Sequence, residues 1–269
     1  MKKTLTIAGS DTCGGAGIQA DLKTFSAHGT YGMSVITAVT VQNTIGVFGC
    51  QDISPEIVAG QIDAIFEDIF EVDAVKVGMV SNTDTINVIA DKLEKYKPKN
   101  IVIDPVMISK SGFDLLKPEA KDALISRLIP LATVLTPNLP EAEVITGMKI
   151  DNVSSMENAA KKIHSMGAEN VFVKGGHLSN DATDILFDGN KIITLEGNRI
   201  NTKNTHGTGC TISSAIAANL ANGLTVEEAV SEAKKYITTA IEHSFAIGHG
   251  VGPTNHFYTL YKKAGMPCE

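Results

Sequence analysis

The chain has 269 residues, is 43% hydrophobic and carries a formal net charge of -7 with a pI near 5.5. That length suits one large α/β domain or two small ones, and the apolar content supports a full core rather than disorder. The acidic balance argues against nucleic acid or a polyanionic membrane as partner, while leaving room for a phosphate group held locally by backbone N–H groups, a lysine and a metal. The four cysteines, Cys13, Cys50, Cys210 and Cys268, show no CxxC spacing and no paired-histidine zinc pattern, and a disulfide framework is not expected in a chain this long. The apolar run after Lys2-Lys3 breaks at Gly9-Ser10-Asp11, too soon for a signal peptide, and no run approaches the ~20 residues of a membrane helix. The expectation is a reduced, soluble, cytoplasmic protein.

In chain order, short apolar runs at residues 5–8, 35–41, 74–77, 101–104, 133–136, 171–174 and 184–187 read as strands. Several are continuously apolar, as parallel strands covered on both faces are. Amphipathic segments lie between them. The first, after Gly17, would bury Ile18, Leu22 and Phe25 on one face, with Gln19, Asp21 and Lys23 either reaching a site or solvated. Ser54-Pro55-Glu56 supplies a cap, a first-position proline and an early acid, followed by Ile57, Val58, Gln61, Ile62, Ile65, Phe66 and Ile69 at helical spacing. Thr225-Val226-Glu227-Glu228 is a capping-box pattern. The alternation predicts one domain with a single doubly wound, mostly parallel sheet.

Ligands of open α/β sheets bind beyond the carboxyl ends of the strands. Here those ends are polar or glycine-rich: Gly9 to Gly17, Gln42-Asn43, Gly78-Met79, Asp104-Pro105, Thr136-Pro137-Asn138 and Lys174-Gly175-Gly176. Six such ends in register suggest one binding rim. Gly14-Gly15-Ala16-Gly17 does not fit G-x-G-x-x-G, the second strand ends in Gln42-Asn43 rather than an acid, and no glycine is followed by Lys-Ser or Lys-Thr. A dinucleotide fingerprint and a P-loop are therefore both absent. Asn204-Thr205-His206-Gly207-Thr208-Gly209-Cys210-Thr211 instead runs into a small-residue helical segment. The unpaired N–H groups of a helix start carry part of the helix dipole, and glycines let an anion approach them; an ordinary glycine turn is the alternative. Asp104 and Glu141 either share a Mg²⁺ through water or cap a turn and face solvent. Lys174 either reaches a phosphate or snorkels at the surface. His206 is either a base or a structural loop residue.

Together these stretches resemble the ribokinase-like superfamily, and within it the hydroxymethylpyrimidine/phosphomethylpyrimidine kinases of thiamine biosynthesis. The resemblance runs from Ile7-Ala8-Gly9-Ser10-Asp11 and Gly14 to Thr24, through Thr40-Val41-Gln42-Asn43-Thr44, Lys76-Val77-Gly78-Met79, Val102 to Met107, Thr136 to Ala142 and Val173 to His177, to His206 to Thr211 and Gly252-Pro253-Thr254-Asn255-His256. It implies a single-domain three-layer α/β/α sandwich over residues 1–269, ATP and Mg²⁺, a homodimer, and phosphoryl transfer first to the pyrimidine's hydroxymethyl group and then to the resulting monophosphate. It implies that Gly9, Asp21, Gln42 and Met79 contact the pyrimidine. Asp104 and Glu141, with Asn138 nearby, would form the Mg²⁺ and phosphate environment; Lys174 and Thr208 would contact the nucleotide. Gly207, Gly209 and Cys210 would form the anion hole and catalytic position. Many members of the superfamily carry an aspartate base where Cys210 stands. A thiol with an ordinary pKa is only about 3% ionised at pH 7, so positioning with late proton acceptance suits Cys210 better than a standing base.

Two other functions fit parts of the sequence. A pyridoxal kinase would share the cysteine anion hole; the amide of Gln42 argues for an aminopyrimidine edge, since it offers both a donor and an acceptor. A cysteine hydrolase or acyltransferase would pair Cys210 with His206, but neighbouring loop residues rarely reach nucleophile–base geometry. A non-catalytic binding protein is disfavoured by the full set of catalytic positions. Residues 109–112 and 176–181 are polar and glycine-containing candidates for a closing loop.

Overall fold

The computed structural model describes residues 1–109, 112–176 and 182–268. Within them the chain runs β1 (Lys3–Ser10), α1 (Gly17–Ala27), β2 (Tyr31–Gln42), β3 (Val47–Asp52), α2 (Pro55–Asp68), β4 (Ala74–Val77), α3 (Thr83–Tyr96) and β5 (Ile101–Ile103). A run of tight helical turns around α4 (Lys121–Ala123) leads to β6 (Val134–Leu135), α5 (Leu139–Thr146), α6 (Val153–His164), β7 (Val171–Val173), β8 (Asp184–Phe187) and β9 (Ile192–Leu195). The chain then forms α7 (Thr208–Ala221), α8 (Val226–Glu242) and α9 (Tyr258–Lys263).

The strands make one sheet in the order β3-β2-β1-β4-β5-β6-β7-β8-β9. β2, β1, β4, β5, β6 and β7 are parallel. β3 closes one edge and β8 and β9 the other by antiparallel pairing. Alternation along each strand sends side chains to two separate cores. Leu5, Ile7, Val75, Val77, Ile101, Ile103, Val171 and Val173 pack against α2, α3, α5 and α6. Ala74, Val102, Val134 and Phe172 pack against α1, α7 and α8. This is the expected three-layer, doubly wound α/β arrangement.

Local signals held where a cap fixes them. Ser54 caps α2 through the Ile57 N–H, and Thr225 and Glu228 form the reciprocal capping box of α8. Gln61, the one polar member of the α2 stripe, brackets the backbone of Ile36 in β2, accepting from its N–H at 2.9 Å and donating to its carbonyl at 3.1 Å. Ile57, by contrast, is exposed. The sequence reading lacks β3 and β9. Both are edge strands with mostly half-buried or exposed side chains, so neither carries the apolar run that marks the central strands.

α7 is buried along almost its whole length, from Thr211 to Ala221. Its small residues let it lie close over β1, β4 and β5. That layer contains a fully buried ion pair: Lys76 on β4 holds both oxygens of Asp21 on α1 at 2.9 Å, with both side chains 0% exposed. Thr6 on β1 and Ser214 on α7 each donate to the same carboxylate at 2.6 Å. One charged pair thus ties two strands to two helices. Removing one partner of a buried pair leaves the other charge uncompensated, at a cost of about 3–5 kcal/mol. Lys76→Met is therefore expected to lower the unfolding free energy in urea by about that amount, and adding Asp21→Asn to recover more than half of it. A loss below about 1 kcal/mol, the level of an exposed pair, would contradict this.

Candidate active site

All six polar strand ends lie at the carboxyl edge of β1, β2, β4, β5, β6 and β7. The chain leaves β1 towards β2 on one side and β4 takes the place on its other side, which makes β1 the switch point where such sheets bind ligands.

On the β5–β7 side, Asp104 is 2% exposed and accepts from Lys174 Nζ at 2.7 Å and from Thr136 Oγ1 at 3.2 Å, both through Oδ1. Asn138 caps α5: its side chain accepts from the Glu141 N–H at 2.9 Å, and Glu141 Oε2 accepts from the Asn138 N–H at 2.8 Å. The Asn138 side-chain oxygen is thus committed to the helix cap. The Lys174 N–H donates to the Pro137 carbonyl, which sets Lys174 beside this cap. Burial pushes Glu141 up to about 7, helped by Asp104 and opposed by Lys174. For Lys174, burial is outweighed by the two carboxylates, which hold its pKa above the ordinary value.

Facing them is the start of α7. Gly207 is the cap residue with φ +77°, and a Cβ there would run into the Gly15 carbonyl oxygen. The Thr211 N–H makes the first helical bond, to Gly207 O; the N–H groups of Gly209 and Cys210 belong to the turn that has no internal acceptor. A Cβ on Gly209 would stand 3.4 Å from Asp104 Oδ2 and 3.5 Å from Lys174 Nζ. The helix start, the lysine and the carboxylate thus stand next to one another. Thr208 Oγ1 donates within the turn, to Thr205 O at 2.8 Å, so its proton is not available to a ligand.

Burial pushes the Cys210 thiol up to about 11. The Lys76 ammonium and the Gly17 N–H pull down, Asp21 and Asp104 push further up. Cys210 is a neutral thiol here at pH 7. His206 does not serve it: its Nε2 pairs with Asp11 Oδ2 at 2.8 Å, which removes the partner that a Cys210 hydrolase would need.

The expected pyrimidine contacts divide. Gly9 is buried beside Met79, close enough that a Cβ would stand 2.8 Å from the Met79 sulfur. Gln42, at the end of β2, is half-buried with Nε2 3.4 Å from His206 Nε2. Asp21 is a correction: it lies in the interior on Lys76, Thr6 and Ser214, with no exposed surface, and has no place on the rim. Gln19 and Lys23 hold the β1–α1 loop, through Asp11 N and Ser10 Oγ and through Gly14 O respectively. Of the candidate closing loops, Lys110, Ser111 and residues 177–181 lie outside the described residues, as does His177 of the resemblance.

Sequence reasoning gave no separate role to Asp11, Lys76, Thr136 or Ser214. A lysine inside Ala74-Val75-Lys76-Val77 was the available signal, since a charge in a continuously apolar strand needs a buried partner.

The family model for phosphomethylpyrimidine kinase matches residues 11–255. The chain is 54% identical over 262 residues to a hydroxymethylpyrimidine/phosphomethylpyrimidine kinase of Rhizobium meliloti (strain 1021), covering 96% of this chain and 98% of that one. A phosphomethylpyrimidine kinase structure from Clostridium difficile 630 superposes with a TM-score of 0.81 at 55% identity, covering 90% of this chain and 100% of that chain. An ADP complex of Bacillus subtilis pyridoxal kinase superposes with a TM-score of 0.89 at 45% identity, covering 96% and 98%. The polar rim, the glycine-rich start of α7 and these matches agree: the chain belongs to the phosphomethylpyrimidine kinase family.

Proposed function

We propose that the protein transfers the γ-phosphoryl group of ATP to the hydroxymethyl group of 4-amino-5-hydroxymethyl-2-methylpyrimidine, and then phosphorylates the monophosphate to the diphosphate used for thiamine. The observation that carries this reading is the juxtaposition of Gly209, Asp104 and Lys174, in a chain of this family. Phosphoryl transfer has a loose transition state with charge spread over the equatorial oxygens, so catalysis is positioning plus charge stabilisation. The N–H groups of Gly209 and Cys210, the dipole of α7 and Lys174 all oppose that charge. In a loose transition state the attacking alcohol keeps its proton until late. A neutral Cys210 packed at the helix start then orients the alcohol rather than deprotonating it, and the hydroxyl proton, lost late as the new O–P bond forms, passes to an oxygen of the transferred phosphoryl group and from there to water.

The donor set suits Mg²⁺. Asp104 keeps Oδ2 towards the start of α7, and Glu141 is a carboxylate that burial raises to about 7 despite the nearby Lys174. Hard oxygen ligands few in number, completed by water and phosphate, are what this ion takes. Bound there, Mg²⁺ would neutralise charge on the nucleotide phosphates. Lys174 and Asp104 hold each other in place in either case.

Val39, Val41, Ile45 and Phe48 on β2, β3 and the turn between them are exposed, and a homodimer through this edge would cover them. No helix among the described residues is long and apolar enough to cross a membrane.

Three measurements test this reading. ADP release with Mg·ATP is expected with both the pyrimidine and its monophosphate, and to be weak with pyridoxal; pyridoxal turnover of equal or higher efficiency would move the function to vitamin B6 salvage. Cys210→Ala is expected to slow turnover less than about 100-fold, below the usual effect of losing a general base, with ATP affinity unchanged and no thiol ionisation in the rate profile between pH 6 and 9, a window set below the value of about 11. A larger loss together with a neutral-range limb would restore the thiolate base. The third concerns Glu141. Its folded pKa of about 7 stands above the ordinary 4.5, so the stability it gives is full below that ordinary value and lost as pH rises through the folded one. Without Mg²⁺ at pH 8, Glu141→Gln should therefore raise the melting temperature and abolish the Mg²⁺-induced rise seen in the parent. An unchanged Mg²⁺ response in that variant would remove Glu141 from the metal site.

A further inference from the structure

His206 immediately precedes the anion hole, yet the proposed chemistry gives its side chain no task. It is 8% exposed. Asp11, 3% exposed, takes its Nε2 at 2.8 Å and also accepts from the backbone N–H groups of Cys13, Gly15 and Ala16 at 3.0, 2.9 and 2.8 Å. Burial raises Asp11, but His206, with the Ala16 N–H and the Cys13 side chain, holds it at about 2. It is ionised and can only accept, so the His206 Nε2 must carry a proton and donate it. Asp11, Cys13 and His206 bring three donor atoms within 4.8 Å of one another; the carboxylate's lone pairs are already committed to four N–H groups, which favours a clamp over a metal site.

The fixed proton has a consequence for Gln42. Its Nε2 lies 3.4 Å from the His206 Nε2, a donor against a donor. Its Oε1 lies 3.1 Å from Thr40 Oγ1, and the single Thr40 hydroxyl proton can serve it only by giving up the shorter 2.8 Å bond to the Ser10 carbonyl, after which the Thr40 and Ser10 oxygens face each other as acceptors. Exchanging the two ends of the amide resolves both conflicts at once: Oε1 shares the His206 Nε2–H, and the NH2 group donates to Thr40 Oγ1. The two ends of an amide have the same shape, and the hydrogen-bond network decides between them. One N–H and one oxygen lone pair of Gln42 then remain for a ligand.

We propose that His206 is a positioning residue for substrate recognition: locked by Asp11 as an Nε2–H donor, it turns the Gln42 amide with its oxygen towards the imidazole and its NH2 towards Thr40, and so fixes how the donor–acceptor pair of Gln42 meets an aminopyrimidine edge. The inference rests on the reading of Gln42 as the pyrimidine contact. The backbone of His206 is held independently, its N–H donating to the Gly252 carbonyl at 3.0 Å, so loss of the side chain leaves the anion hole on its anchor. The effect belongs in KM for the acceptor, not for ATP.

The test is a double-mutant cycle read in steady-state kinetics with Mg·ATP and hydroxymethylpyrimidine, with circular dichroism and melting curves on each variant. His206→Leu is expected to raise KM for the pyrimidine about ten-fold, the scale of one charge-assisted hydrogen bond, with KM for ATP within about two-fold. His206→Gln, whose amide nitrogen reaches the place of Nε2, should recover most of that loss. In a Gln42→Ala background, His206→Leu should add less than about two-fold, because coupled residues are not additive. Full additivity, or no recovery by His206→Gln in a folded variant, would overturn the coupling. If Gln42→Ala alone left the pyrimidine KM unchanged, the reading of Gln42 would fall instead, a separate failure. Should His206→Leu not fold, Asp11→Asn provides the same cycle, with the same expected direction and the same overturning result.

Discussion

The Asp21–Lys76 pair is the constraint on which the rest of the molecule is arranged. Two opposite charges with no exposed surface, at 2.9 Å, are tolerable only where every remaining donor and acceptor is engaged. Thr6 and Ser214 meet that condition, and in doing so they set β1, β4, α1 and α7 relative to one another. Ser214 lies one turn after Cys210 on α7, on the same face. The contact that anchors the helix therefore also fixes the height of its first turn above the sheet. Small side chains along α7 let the helix approach, and the absent Cβ at Gly207 lets the first turn meet the β1–α1 loop at the Gly15 carbonyl.

Above this anchor the site alternates charge. Lys76 and Asp21 cancel below; Lys174 and Asp104 cancel at the rim. The N–H groups of the helix start are prepared for negative charge, and the buried Glu141 is offset only in part by Lys174, which it shares with Asp104. On the proposed function such a site would take a magnesium nucleotide as a neutralising whole, with its dipoles held before the reaction begins. The same burial that strengthens those interactions keeps Cys210 protonated, since removing a thiolate from water costs more than Lys76 returns. On the proposed function, a neutral thiol there would serve a loose phosphoryl transfer by placement rather than as a base.

The parts of the fold readable in the sequence were those governed by local rules. The β4 and β8 runs match the observed strands, and the caps at Ser54 and Thr225 sit where their residue types require. The polar strand ends were legible because a parallel sheet places them together whatever the details. β3 and β9 were not legible, because half-exposed edge strands carry no continuous apolar run. Asp21 was misplaced for a different reason. Its neighbours Ile18, Leu22 and Phe25 mark a buried face, but the partner that makes a buried aspartate acceptable lies 55 residues away in sequence; Lys76 in its apolar strand signals that it needs a buried partner without saying which residue supplies it. The Asp11–His206 clamp, 195 residues apart, was hidden in the same way, which left His206 with two readings until geometry chose between them.

The central claim is that the first turn of α7, with Lys174, holds the phosphoryl group in flight. A crystal structure with Mg·ADP, aluminium fluoride and hydroxymethylpyrimidine tests it most directly. The fluoride ligands are predicted to lie within hydrogen-bond distance of the Gly209 and Cys210 N–H groups and of Lys174 Nζ, with the substrate hydroxyl beside Cys210 and the pyrimidine edge on Gln42. A fluoride cluster held elsewhere, with that turn of α7 unengaged, would contradict the account.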